Sequence, residues 1–344
     1  MTKLDEVLNF LHYNPNSSRA KIAENVFGAM SAASVKRLLA MGVKEGYISA
    51  SGKGRAVKYS ITPKAHLLRT YDIGEYFKNE IDERKIQTSF NFSLLENLLP
   101  KTELFSESEM QYLNGLQQIF KNKIANIPED LYNVEMERLG IDLSWKSSQI
   151  EGNTYSLLET ERLLKESKQA VGKTRDEAIM LLNHKDALRF LLDNPDYLHS
   201  LSVSRIEDIH SILVKDLNVA RNIRKSRVGI TGTNYRPLDN EFQIADAMNL
   251  ACNIINAKSN VFEKAMLAIL LLSYIQPFAD GNKRTSRIVC NALLISNGYC
   301  PMSFRTVDSM NYKEAVLIFY EQNNVSAFKK IFIEQYNFAV NTYF

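Results

Sequence analysis

Apolar residues recur at three- and four-residue spacing through most of this chain, which predicts a mainly α protein. In the opening segment Leu4, Val7, Leu8 and Leu11 fall on one helical face. A second helix, "SSRAKIAENVF", starts behind Ser17 or Ser18 as its cap, and a third, "SAASVKRLLAMGVKEGYI", opens at Ser31. The period then changes to two in "YIS" and "AVKYSIT", with "GKG" between them as a turn, so a two-stranded hairpin is expected. Three helices and a hairpin outline a winged helix-turn-helix over residues 1–64. Residues 65–89, rich in charge, read as a helical connector. From residue 90 to 344 one amphipathic helical stretch follows another, beginning with a Ser106-x-x-Glu109 capping pattern. The exception is "RKSRVGITGTNYRPL" (224–238), whose glycines, proline and β-like "RVGITG" predict a short β-hairpin between helices.

Composition narrows the class. The chain has 344 residues, 45% hydrophobic and 24% charged, as expected of a soluble globular protein with two or three domains. Its formal charge of +3 is unevenly spread: residues 1–70 hold 11 Lys+Arg and 4 Asp+Glu (+7), leaving 31 and 35 (−4) for the rest. A basic head suits a polyanion, and Lys36 and Arg37 on the third helix with Lys53, Arg55 and Lys58 in the hairpin are candidate DNA contacts. A protein-docking module with ordinary solvated lysines fits the same pattern. Three cysteines without a CxxC pair imply no disulfide framework and favour a reducing cytoplasm. The start lacks the apolar core of a signal peptide, and the longest apolar run, "AMLAILLLSYI", is too short to span a bilayer.

The candidate chemistry lies in "IQPFADGNKRTSR" (275–287). An apolar helix ends near Ile275, Pro277 and Gly281 turn the chain, and a new helix begins around Asn282 or Lys283. Free N–H groups at that helix start form an anion site, to which Lys283, Arg284 and Arg287 add fixed positive charge. Asp280 is a hard oxygen ligand suited to Mg²⁺ on phosphates, and Asn282 can hydrogen-bond phosphate oxygens. The alternative is Asp280 as an N-cap with the basic residues solvated.

Gln276, Phe278, Asp280, Gly281, Asn282, Lys283, Arg284 and Arg287 resemble the signature of Fic-domain proteins, His-x-Phe-x-(Asp/Glu)-Gly-Asn-(Gly/Lys)-Arg-x-x-Arg, departing only at the first position. The likeness extends over roughly residues 90–340. It implies a Fic-type helical bundle and a protein adenylyltransferase, which moves AMP from ATP–Mg²⁺ to a Ser, Thr or Tyr hydroxyl of a partner protein or of itself, often as a homodimer. Residues 224–238 resemble the family's target-binding flap, with Gly229, Ile230, Thr231 and Gly232 at its tip. "SSQIEGN" resembles its inhibitory motif, (Ser/Thr)-x-x-x-Glu-(Gly/Asn), as Ser147, Glu151 and Gly152, with the inhibitory helix near 145–153. In the family that glutamate pairs with the second signature arginine, here Arg287, and so withholds it from the γ-phosphate; a carboxylate and a phosphate compete for one guanidinium.

By the same resemblance the first signature position is the general base, and an amide there cannot take a proton. Weakened or absent transfer is therefore expected. Three accounts remain open: a nucleotide binder with little activity, an introduced substitution, or a different chemistry in which Gln276 orients a nucleophile such as water. Lys283 also occurs in the phosphate-transferring Doc branch of the family, but that branch lacks the second arginine, so AMP-transfer descent is favoured. The competing class is a DNA-binding regulator whose body senses nucleotide without catalysis.

Overall fold

The computed structural model describes residues 2–27 and 31–344, with the side chains of Phe27 and Arg55 outside the description. In the first module α1 (Lys3–Tyr13) opens on a Thr2–Asp5 capping box. Strand β1 (Ser17–Ser18) leads into α2 (Arg19–Ile22), capped by Ser18, and α3 (Ala32–Lys44) is capped by Ser31. Strands β2 (Ile48–Ser51) and β3 (Lys58–Ile61) pair antiparallel, with Ser49 opposite Ser60. The sheet has three strands in the order β1-β3-β2, one more than the two-stranded wing expected. A two-residue strand is too short to carry a period, so only its pairing with β3 reveals it. Val7, Leu8, Leu11, Ile22, Val35, Leu39, Ile48 and Ala65 close a small core of their own.

The connector is not one helix. It contains α4 (Pro63–Leu68) and α5 (Ile73–Tyr76), followed by turns and an extended run to residue 90. Its polar groups bond to the body rather than along a helix. Gln87 N–H donates to the Glu321 carbonyl (2.8 Å) and the Tyr76 hydroxyl to the Glu321 carboxylate (2.6 Å). Gln322 donates to the Lys85 carbonyl (2.7 Å).

The body is built from α6 (Glu107–Ile124), α7 (Glu129–Ile150), α8 (Leu157–Glu166), α9 (Arg175–Asp193) and α10 (Val203–Leu213), then α11 (Glu241–Ala257), α12 (Val261–Ile275), α13 (Asn282–Ser296), α14 (Ser309–Gln322) and α15 (Ser326–Thr342). The centre is α12, buried on every side from Ala265 to Ile275, which explains why its sequence is apolar all round. It packs along α13, with α11 and α14 against it, while α7, α9 and α10 flank α13. Among the described residues no helix is long and apolar enough to cross a membrane.

Candidate active site

The site is the turn between α12 and α13. Gln276 ends α12 in the left-handed region (φ 51°, ψ 59°), its N–H still bonded to the Leu272 carbonyl (3.0 Å). Few residues other than glycine sit there, and side-chain bonds hold this one in place. The Gln276 amide donates to the Ser273 carbonyl (2.6 Å) and accepts from Asn282 (3.0 Å). Asn282 also closes the loop, accepting from Phe278 N–H (2.8 Å) and donating to the Phe278 carbonyl (2.8 Å). Its amide is thus turned into the loop. The Phe278 ring lies flat on His210, 3.7 Å between centroids and 7° from parallel. Gly281 (φ 82°) then swings the chain into α13 in a conformation suited to glycine. A side chain there would press on Val214 (3.2 Å) and the His210 ring (3.4 Å).

No side chain caps α13, whereas Asn240, Asn260 and Asp308 cap α11, α12 and α14. Its first-turn N–H groups, like those of α7 and α15, have no side-chain cap, and here they open beside Arg284 and Asp280, where an anion would suit them. Asp280 accepts from Gly281 N–H (2.6 Å) and from Arg284 Nη2 (3.0 Å), so acid and arginine converge at the helix mouth. Solvated basic residues are not what forms here: Arg284 is 2% exposed and Arg287 0%. Burial pulls the Arg284 pKa down, with Asp280 and Glu151 pushing back.

Arg287 is held by the end of α7. It donates to the Ser147 hydroxyl (2.8 Å), the Ser147 carbonyl (2.8 Å) and Glu151 Oε1 (3.0 Å). Lys283 Nζ stands 3.6 Å from the other Glu151 oxygen. Burial alone would raise the Glu151 pKa, but Arg287, then Lys283 and Arg284, bring it below the ordinary carboxylate range. Gly152 (φ 98°) ends α7 behind it. His184 is fully buried next to this cluster, with no hydrogen-bond partner on either ring nitrogen among the described residues; burial, then Arg287 and Arg284, keep it neutral.

Residues 224–238 do not form the expected hairpin. The segment is extended, with a turn at 231–232, and its two limbs do not pair. Its ends are fastened by Arg224, a residue that sequence reasoning missed. Arg224 donates to the Gln276 carbonyl (2.7 Å), the Ser226 carbonyl (2.7 Å) and the Leu238 carbonyl, and its N–H bonds the Pro277 carbonyl (2.9 Å). No local pattern marks it, because its main partner lies 52 positions away. The flap tip, Glu151, Gly152, Gln276 and Lys283 face one cavity of about 680 Å³. Far along the chain, Lys36 and Arg37 are exposed on α3 and Lys53 in the β2–β3 turn, while the Arg55 side chain lies outside the described residues.

Among the described residues no cluster of three or more His, Cys, Asp or Glu could cage a metal. Asp280 alone at the helix mouth still fits Mg²⁺ carried on a nucleotide, which ordinarily uses one or two carboxylates with phosphate oxygens and water.

Residues 200–294 match the model of the Fic/DOC family. The chain is similar to a protein adenylyltransferase Fic of Nematostella vectensis, 27% identical over 267 residues covering 70% of this chain and 60% of that protein. It is also similar to protein adenylyltransferase fic-1 of Caenorhabditis briggsae, 29% identical over 161 residues covering 44% of this chain and 31% of that protein. The chain thus spans between about a third and three-fifths of these relatives' lengths. In structure it resembles Fic-1 of C. elegans (TM-score 0.60, 21% identity, covering 68% of this chain and 71% of that one). It likewise resembles a Fic-domain signaling protein of Bacteroides thetaiotaomicron (TM-score 0.58, 18% identity, covering 67% and 94%). At these identities the structural likeness concerns the fold.

Proposed function

This chain belongs to the Fic/DOC family, and from that premise we propose that it is a protein adenylyltransferase by descent that binds ATP–Mg²⁺ at the mouth of α13, restrained by Glu151 and slowed by Gln276. The observation that carries the reading is the buried Arg287, clamped by Ser147 and Glu151 beside an uncapped helix start. Lys283, Arg284 and Arg287 share two carboxylates, Asp280 and Glu151, which leaves one positive charge in excess for a polyanion to take. The phosphates would lie on the first-turn N–H groups of α13 and Arg284, with Asp280 holding Mg²⁺. The metal, when bound, would neutralise phosphate charge and hold the leaving pyrophosphate. Arg287 would reach the γ-phosphate only once Glu151 lets go.

Transfer joins the target's hydroxyl oxygen to the α-phosphorus and releases pyrophosphate, and the hydroxyl proton needs an acceptor. Gln276 supplies none. Its amide is committed to Ser273 and Asn282, so it positions the loop. Loss of a general base costs roughly 10²–10⁴-fold. The test is incubation with labelled ATP. The unmodified chain should label little, Gln276→His more, and Gln276→His with Glu151→Gly most. Robust labelling by the unmodified chain would refute the loss of the base, and none by the double variant would refute the transferase descent.

A further inference from the structure

The two limbs of the flap differ in what they bond. The returning limb is bound to the connector along its length. Arg84 Nη2 donates to the Gly232 carbonyl (2.7 Å), Asn234 donates to the Asp82 carboxylate (2.8 Å), and Arg236 N–H donates to the Thr88 carbonyl (2.9 Å). On the outgoing limb, the main-chain groups of Val228, Gly229 and Ile230 make no hydrogen bond among the described residues. The connector therefore pins one edge of the flap and leaves the other unpaired, facing the cavity that holds Gln276 and Lys283.

Arg84 is fixed for this task. Its side chain is 5% exposed, 3.3 Å from Glu321, whose other oxygen takes the Tyr76 hydroxyl. Its guanidinium stands over the Phe77 ring at 5.1 Å. Phe77 and Arg84 line the same cavity as Lys283; its apolar lining includes Ile230, Met310 and Leu317, with Met310 63% exposed, and Lys313 and Glu314 line it as well. Leu317 lies against the tip at Gly232 (3.3 Å).

We infer that the connector is part of the target-docking site, with Arg84 as the positioning residue that presents the flap's free edge and Phe77 as a specificity residue. The occupant is an extended protein segment carrying an apolar side chain next to its acceptor hydroxyl. The main chain of such a segment fills the unpaired edge of 228–230, and an apolar neighbour buries against Phe77, Met310 and Leu317. A charged neighbour turned onto that apolar lining would lose hydration that Phe77, Met310 and Leu317 cannot replace. This inference rests on the cavity being the transfer site, but its test does not require transfer.

The probes are fluorescein-labelled peptides, each with one Thr flanked by Leu, Asp or Lys, titrated into the full unmodified chain and read by anisotropy. The Leu-flanked peptide should bind roughly tenfold more tightly than the others, the value of partly burying one aliphatic side chain. Phe77→Ala should erase that preference. Arg84→Ala should weaken all three peptides alike, leave ATP affinity by calorimetry within about twofold, and speed amide exchange at 232–236; Arg84→Lys should restore part of the loss. Equal binding of the three peptides, no binding of any, or unchanged binding in Phe77→Ala and Arg84→Ala would overturn the inference. Discriminating binding with no labelling by the activated double variant would fault the transferase reading and leave the docking site standing.

Discussion

Single side chains decide whether this site can act. Glu151 sits among three cations and has a lowered pKa, so its clamp on Arg287 is present above the unfolded carboxylate value of 4.5 and is lost only as pH falls through the lower folded value. Glu151 should therefore add no pH dependence to nucleotide affinity from about pH 5.5 to 8, so calorimetry on the unmodified chain and on Glu151→Gln should give parallel pH profiles there. Glu151→Gln strips the buried Arg287 of its counter-charge. Breaking such a pair costs about 3–5 kcal/mol, and a polyphosphate can replace the missing charge. The variant should melt earlier than the parent without ligand and gain more from added ATP, as thermal shift with and without nucleotide would record. Arg224 acts on geometry rather than charge. It bonds the Gln276, Ser226 and Leu238 carbonyls, and charge-assisted bonds contribute about 1.5–3 kcal/mol each. Arg224→Ala should cost about 3 kcal/mol by denaturant titration and expose the flap to proteolysis.

At the scale of elements, the α12–α13 turn works because two conformations follow each other: a left-handed Gln276 ending one helix and a left-handed Gly281 opening the next. Gly281→Ala should lose about 1–2 kcal/mol from the backbone alone, with a further loss from contact with Val214 and His210. Denaturation together with ATP titration would show both stability and affinity falling. The helices of the body were legible because each buries a continuous stripe; that α12 is the central one came only from the fold. The flap and the connector were not. Residues 224–238 have strand-like composition but no partner within the segment, since the returning limb bonds the connector and the ends bond Arg224. The connector's charged residues look helical, yet Tyr76, Arg84 and Gln87 turn to Glu321 and the flap.

At the scale of the whole molecule, the first module has its own core, and the start of the connector, at and just after α4, meets the body at the α14–α15 corner. There Asn324 donates to the His66 (2.7 Å) and Arg69 (2.9 Å) carbonyls, and Val325 N–H to Leu67 (2.9 Å). Beside this seam His12 and His66 pack ring edge to face at 5.1 Å. Burial, then Arg69 and His66, push His12 down to about 4, and burial with Arg69 also lowers His66. A histidine with a depressed folded pKa takes up protons on unfolding, so stability falls with pH below the ordinary value of 6.5 and levels off below about 4. Melting followed by circular dichroism should show the first transition moving to lower temperature over that interval, and His12→Phe should flatten the dependence.

Taken alone, the residue order settled the helical class, the basic head and the turn with its cations. Each of these is written in neighbours within a few positions, where helix period, capping and turn chemistry operate. Tertiary structure decided what those groups do: that Arg287 is buried on Ser147 and Glu151 across 136 and more positions, that Lys283 shares the same carboxylate, that Arg224 ties the flap to Gln276, and that the connector forms a wall of the cavity. Hydrogen bonds and ion pairs between distant segments leave no periodic trace in either partner, so only the folded chain brings them together.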